Sequence, residues 1–467
     1  MKDMYQPVTQ QDLDFFRNVM PGRVFSGEEI STDYDHDEMT EYGHAMPEAV
    51  LQALSAEEVS RVLAYCNEHR IPVTPRGAGT GLCGGCVPIC GGIVLSTEKM
   101  NHVLEVDQEN MTATLEPGVL LLEFPKALEG TGLFYPPDPG EKTATMGGNA
   151  MTNAGGMRAV RYGVTRDYIL GMQIVLASGE ILELGGKNVK TSSGYSLLDL
   201  MIGSEGTLGF LTRLTVKLIP EPRMNLSLLL PFDDVHRCIQ AVPRLLNCGC
   251  DPTAVEFMER DVIACSETYL GKAFPDQSAD AYLLLRLDGD SREALAPAMA
   301  KVTDLALEMG ARDVLLADTD ERKETIWNAR GAFLEAIKGS TTTMDECDVV
   351  VPRSRIPDFL QHMVETGVKH HVRILSFGHA GDGNLHIYVC RDQLDEETWK
   401  RTVQQVMDEL YRRARDLEGL VSGEHGIGHA KKAFLRESVG ETQIRLMQGI
   451  RKVFDPNGIL NPGKVCT

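Results

Sequence analysis

The chain has 467 residues, of which 46 are Lys or Arg and 67 are Asp or Glu, for a formal charge of −21. Roughly 150 residues per domain allows about three domains or two larger lobes, each able to bury a core without disulfide staples. The acidic surplus argues against nucleic acid or an anionic membrane as principal partner, and a composition 43% apolar and 24% charged is that of a folded globular chain.

The opening residues MKDMYQPVTQQDLDFF contain no apolar core and no cleavage-like site. The longest apolar runs, such as LSLLLPF at 226–232, fall far short of the ~20 residues of a membrane span. Both features predict a cytoplasmic chain without a transmembrane segment, and its 11 cysteines are then expected as reduced thiols. Residues 1–46 read as a polar, partly helical approach segment, with DYDHDEMTEYGH at 33–44 solvated. From 47 to 220 the pattern is that of a glycine-rich α+β domain. PEAVLQAL predicts a strand and SAEEVSRVLAYCNEHR a helix, with Ser55 and Glu58 at capping-box spacing. IPVTPR, GGIVLST, HVLEVDQEN and TATLEPGV predict short strands, and LLLEFPKALEGTG a helix. DYILGMQIVLASGEILEL reads as a hairpin turning at Ser178–Gly179.

Residues 221–415 change character. MNLSLLLPF and AYLLLRLDG predict strands, and RILSFGHAGDGNLHIYVC predicts two strands around a loop. Four long helical patterns, beginning at VHRCIQ, SREALA, RIPDFL and DEETWK, suggest helices returning on an antiparallel sheet, an α+β cap domain. Pro220 and Pro222 mark the boundary, and 416–467 reads as a C-terminal segment returning to the first domain.

The 45 glycines exceed the usual ~7% share and gather in three stretches. PRGAGTGLCGG at 75–85 lets successive amides turn toward an anion, and a diphosphate is the natural guest. Gly79, Gly81 and Gly84 match G-x-G-x-x-G, but Pro88 and two glycine pairs follow where a dinucleotide-binding helix would have to begin. The second stretch is PPDPGEKTATMGGNAMTNAGG, the third GSEGTLG at 203–209. Three glycine-polar loops in one domain suggest an extended ligand lying along it. Cys83, Cys86 and Cys90 read as small side chains in a tight loop; a metal centre and a redox pair remain open, although the ferredoxin run is incomplete.

Seven of the 12 histidines lie beyond residue 361. In FGHAGDGNLH the turn at Gly381–Gly383 can return His379 and His386 toward each other, and Glu424 in SGEHGIG offers a carboxylate. Imidazoles with a carboxylate suit a borderline divalent ion; ordinary satisfied histidines fit the pattern as well.

Together, PRGAGTGLCGG, PPDPG…TMGGNAMTNAGG, IGSEGTLGFLT, FGHAGDGNLH, SGEHGIG and FDPNGILNPGK resemble the FAD-linked oxidases of the vanillyl-alcohol oxidase and para-cresol methylhydroxylase type over roughly residues 40–465. The later motifs resemble the branch holding glycolate oxidase catalytic subunits, D-lactate dehydrogenases and D-2-hydroxyglutarate dehydrogenases. The resemblance implies a two-lobed FAD-binding domain with a cap domain. It places the FAD diphosphate on Pro75, Arg76, Gly77, Ala78, Gly79, Thr80, Gly81 and Leu82. Pro139, Gly140, Thr145, Met146, Gly148, Asn149, Thr152, Asn153, Gly155 and Gly156 would line the cofactor further along, with Glu205, Gly206, Gly209 and Asn461. No histidine stands in the first loop, so noncovalent FAD is expected, with a cysteinyl link left open. The resemblance also implies one divalent ion (zinc, iron or manganese) on His379, His386 and Glu424, and His425 as the base. Arg330 would hold the substrate carboxylate, assisted by the Asn384 amide, and His429 would serve structural packing or support the flavin edge.

The reaction implied is oxidation of a D-2-hydroxy monocarboxylic acid, D-lactate first. Relatives acting on D-2-hydroxyglutarate carry a lysine near 344–355. Here Asp345, Glu346 and Asp348 stand there and are expected to repel a second carboxylate, with Lys338 nearby in sequence. Glycolate and D-2-hydroxyglutarate are the enzymatic alternatives, and a noncatalytic FAD-carrying scaffold the alternative of a different class. No haem motif or ferredoxin cysteine run supplies an outlet for electrons. The resemblance points to electron transferring flavoprotein or another redox subunit, in a complex that can bifurcate electrons between NAD and ferredoxin.

Overall fold

The computed structural model describes residues 4–467, which divide into two compact units. The first comprises residues up to 155, 164–221 and 424–467; the second comprises 156–163 and 222–423. This differs from the expected division in three places. Residues 4–46 are part of the first unit instead of a separate approach segment, while 156–163 and 416–423 belong to the second.

In the first unit, a four-stranded sheet runs in the order Val24–Ser26, Ala49–Gln52, Ile93–Ser96, Val73–Arg76. The last three strands are parallel, and the first pairs antiparallel at the edge. Parallel strands are covered on both faces and therefore read as short apolar runs, as IVLS does. The helix Ala56–His69 packs Val59, Val62 and Leu63 onto this sheet with Phe16 and Phe210. Each such residue, fully buried, contributes roughly 1.5–3 kcal/mol. Ser55 caps that helix by accepting the Glu58 N–H at 3.3 Å. The Glu58 carboxylate does not complete the box; it accepts from Leu54 N–H at 2.9 Å and pairs with Arg23.

A five-stranded antiparallel sheet follows, ordered Val103–Asp107, Thr112–Leu115, Phe210–Lys217, Ile169–Val175, Ile181–Gly185. Its last two strands are the expected hairpin, with Gly179 at φ 88° in the turn. LLLEFPKALEGTG yields only the short helix Phe124–Leu128, which carries Pro125 in its first turn and is followed by two glycines at positive φ, Gly130 and Gly132. The C-terminal segment ends beside the first sheet, where Leu460 bridges Val73 and the Asn461 N–H donates to Val73 O at 2.8 Å.

The second unit is built on a seven-stranded sheet, antiparallel throughout. Its order is Leu315–Ala317, Met224–Phe232, Ala281–Gly289, Ala254–Glu259, Arg373–His379, Asn384–Cys390, Met344–Val350. The four expected helices form over Val235–Asn247, Arg292–Glu308, Ile356–His370 and Glu396–Asp416. MDECDVV, expected only as a selectivity segment, is the edge strand Met344–Val350. Among the described residues no helix is long and apolar enough to cross a membrane.

Candidate active site

The sheet register of the second unit concentrates its polar chemistry on one face. His379 lies opposite Asn384, which lies opposite Val350. In the next row Met258 faces Phe377, Phe377 faces His386 and His386 faces Asp348. One row further, Tyr388 faces Glu346. Residues two apart along a strand share a face, so His379, Asn384, His386, Tyr388, Glu346 and Asp348 all stand on the same side. The turn after His379 closes with the N–H groups of Asp382 and Gly383 donating to His379 O, at 3.1 and 3.0 Å. It brings the His379 and His386 rings to 5.1 Å between centroids, nearly perpendicular.

Glu256, from the strand Ala254–Glu259, organises one end of this row. His379 Nδ1 donates to its carboxylate at 2.8 Å. Arg330 donates to the same carboxylate through Nε at 2.8 Å and Nη2 at 2.6 Å, with its plane 4.5 Å from the Phe377 ring centroid. Burial pushes the Glu256 carboxyl up, but the charges of His379 and Arg330 more than offset this and hold it below its ordinary value. A histidine that donates one ring N–H to a carboxylate has its other nitrogen fixed as an acceptor, the arrangement that serves metal ligation. Glu346 and Asp348 flank His386, each 3.8 Å from Nδ1, close enough for electrostatic attraction but beyond hydrogen-bonding distance. Two buried imidazoles beside carboxylates are a donor set that fits a divalent ion.

Asn384 donates its amide N–H groups to Asp348 at 2.7 Å and to Val349 O at 2.9 Å. Its amide therefore holds the edge strand, and the expected bond to a substrate carboxylate would require those bonds to exchange. The acidic stretch is likewise turned inward. Glu346 and Asp348 are fully buried; Glu346 accepts from Tyr388 OH, and Asp348 accepts from Ser422 Oγ and Gly423 N–H as well as Asn384. These acids orient the histidine face, so repulsion of a diacid by an exposed acidic cluster is not the arrangement found.

The first unit carries the glycine loops. Gly77 sits against the Thr145 hydroxyl, and Thr145 caps the helix Met146–Thr152 by accepting Gly148 N–H at 3.0 Å. Ala78 and Gly81 are exposed at the loop tip. The Asn149 amide nitrogen and the Ser204 hydroxyl are buried without a protein partner, beside loops whose backbones are bare of side chains. Unpartnered buried polar atoms imply a polar guest, and the residues present fit the FAD expected from the motifs. Three of the expected cofactor residues direct their side chains elsewhere. Arg76 donates to His36 O at 2.8 Å and Asp33 O at 2.5 Å. Asn461 donates to Gly85 O and Glu205 O. Half-buried Glu205, at φ 52°, accepts from Ile427 and Gly428 N–H at 2.7 and 2.8 Å. It thus anchors the loop after His425, and burial raises its carboxyl pKa.

Gly155 lies against Glu424, where a Cβ would come within 2.5 Å of the carboxylate. His425 Nε2 is 3.7 Å from Glu424 Oε1. His429 packs against Gly84, and burial, with Lys464 and Lys432 nearby, lowers its pKa to about 4. The three loop cysteines diverge. Cys83 donates to Gly426 O, Cys90 donates to Pro462 O, and Cys86 accepts from Arg76; all three are free thiols. Of the remaining expected cofactor residues, Gly206 is pressed on Pro75 and Gly209 on Ile174; Met146 is buried, and Asn153 is left-handed at φ 53°. Gly156 lies in the second unit.

Sequence reading missed Glu256 and the partnering role of Glu346 and Asp348. The signals were present: a lone Glu inside the apolar run AVEFM, and two acids two residues apart in MDECDVV.

Residues 47–185 match the family model of an FAD binding domain, and residues 221–465 match that of the C-terminal domain of FAD linked oxidases. A D-lactate dehydrogenase of Anaerostipes hadrus is 50% identical over 467 residues, covering 99% of this chain and 98% of that protein. The glycolate oxidase subunit GlcD of Bacillus subtilis is 40% identical, with 92% and 91% covered. The crystal structure of p-cresol methylhydroxylase superposes with a TM-score of 0.81 at 19% identity, covering 98% of this chain and 97% of that one, and shares the fold. The chain belongs to the FAD-linked oxidases.

Proposed function

We propose that the chain oxidises D-lactate to pyruvate on noncovalent FAD, with His379, His386 and Glu424 holding one divalent ion. The observation that carries this reading is the Arg330–Glu256–His379 arrangement, a guanidinium fixed beside a metal-competent imidazole on one sheet face. Kinship with a protein named D-lactate dehydrogenase at 50% identity supports the same substrate.

When bound, FAD supplies the two-electron acceptor for the hydrogen that leaves the substrate carbon as hydride. The chain does the rest. Glu256 takes the Nε–Nη2 edge of Arg330 and leaves Nη1 for the substrate carboxylate. His379, His386 and Glu424 would hold the ion, which would supply Lewis-acid polarisation of the substrate hydroxyl. His425 accepts the hydroxyl proton at Nε2, its imidazole being suited to that at neutral pH. Glu205 keeps His425 in place by clamping the two N–H groups that follow Gly426. A single carboxylate needs a single fixed cation, and Arg330, held by Glu256, supplies one.

Electrons leave to electron transferring flavoprotein or a comparable redox subunit, in a complex able to couple NAD and ferredoxin. Dye-linked oxidation of D-lactate, L-lactate, glycolate and D-2-hydroxyglutarate tests the substrate. D-lactate is expected to give the highest kcat/KM; a preference for the diacid would overturn the assignment. Copurification of the native complex tests the partner, with flavoprotein subunits expected.

A further inference from the structure

The first unit holds a second set of potential metal ligands. Asp35 ends a short 3-10 turn, Thr32–Tyr34. Its carboxylate oxygen Oδ1 accepts from His36 Nδ1 at 2.7 Å and from His44 Nδ1 at 2.8 Å. The rings lie 5.1 Å apart between centroids. The loop between them is closed by the Ala45 N–H donating to Asp35 O at 2.8 Å, so His36 and His44 are held on one carboxylate by the backbone itself. His36 is fixed further by Arg76, which donates to its carbonyl. The site faces solvent, with the His44 side chain 55% exposed and that of His36 29%.

We propose that Asp35, His36 and His44 form a binding site for a borderline divalent ion of the zinc, nickel or copper class. Two imidazoles and a carboxylate are the donor set such ions take, and a solvent-facing site leaves room for water as the fourth ligand. With metal–ligand bonds of ~2.0 Å, tetrahedral donors stand ~3.3 Å apart. The present 2.7 and 2.8 Å separations therefore have to open by only about 0.5 Å. Each neutral ring moves its proton from Nδ1 to Nε2, and two N–H···O bonds are replaced by bonds to the ion.

The site is tied to the first glycine loop. Asp37, two residues on, accepts the Gly84 N–H at 2.5 Å; the Glu38 N–H donates to Gly81 O at 3.0 Å; Arg76 bridges to Asp33 and His36. An ion here therefore stiffens the segment that braces residues 76–84, and its removal is expected to speed loss of FAD.

The test uses the full FAD-loaded chain and zinc alone as probe. Wild type is expected to bind one more equivalent of zinc than His44→Ala and than His36→Gln, with far-ultraviolet dichroism unchanged in both variants. The comparison is independent of the proposed substrate-site ion, because His386→Ala removes that one and leaves the difference between wild type and His44→Ala intact. Chelation is expected to raise the FAD dissociation rate several-fold in His386→Ala but not in His386→Ala/His44→Ala. Equal zinc stoichiometry in wild type and both variants would overturn the proposal.

Discussion

Arg330 and Glu256 form a buried ion pair in which one carboxylate oxygen receives both Nε and Nη2, at 2.8 and 2.6 Å. The other oxygen of Glu256 receives His379 Nδ1 at 2.8 Å. One carboxylate thus sets the orientation of the proposed substrate-binding arginine and of a proposed metal ligand together. Glu256→Ala leaves a guanidinium buried without its partner, a change that destabilises by about 3–5 kcal/mol. Glu256→Gln keeps the shape, and is expected to fold while losing tenfold or more in metal affinity. Thermal unfolding and elemental analysis of the two variants check this.

Gly155 leaves room for Glu424, which belongs to the same compact unit although 269 residues away in sequence. A methyl group at 155 would meet the carboxylate at 2.5 Å. Gly155→Ala is expected to retain FAD and its flavin spectrum while metal content falls below half of wild type. Metal retained at the wild-type level would remove Glu424 from the ligand set.

Glu205 acts on His425 through backbone, not through substrate. Glu205→Gln keeps one acceptor and loses the charge that holds the Ile427 and Gly428 N–H groups. Flavin reduction is expected to slow at least tenfold with KM nearly constant, since positioning and not binding is disturbed. His425→Ala should keep metal and flavin and lose rapid reduction altogether. Rapid-mixing measurements on both variants read these outcomes.

Glu259 gives a pH prediction. Burial, with Asp261 nearby, raises its carboxyl to about 7 against the hydrogen bonds from Ser376. Its folded-state pKa lies above the ordinary 4.5, so the native state retains a proton that the unfolded chain loses. Stability is lost as pH rises from about 4.5 to 7 and then levels, by up to about 3 kcal/mol. Glu259→Gln removes that titration and should be the more stable protein above pH 7, with the advantage vanishing near pH 4.5. Urea unfolding across this range measures it.

Much of the architecture was legible because local chemistry sets it. Ser55 before an amphipathic run, Gly179 in a hairpin turn and the uninterrupted MNLSLLLPF each permit one local conformation. The histidine pair was also legible, since a glycine turn between two strands can only fold it back. What was hidden depends on register between distant strands. That Glu256 meets His379, and Asp348 meets His386, follows from pairings across 123 and 38 residues that no local pattern encodes. The acids at 346 and 348 read as a substrate-repelling stretch and not as a buried strand, because a strand buried on both faces leaves no polar–apolar rhythm. Residues 33–44 looked like a solvated tail for a similar reason: their partners, Arg76, Gly81 and Gly84, come from the glycine loop.

The most direct measurement is anaerobic mixing of the FAD-loaded, metal-replete protein with D-lactate and with L-lactate, following the flavin absorption band. D-lactate is expected to bleach the flavin within a turnover and to yield one pyruvate per FAD, and L-lactate to leave it oxidised. No bleaching by D-lactate, or faster bleaching by D-2-hydroxyglutarate, would contradict the account.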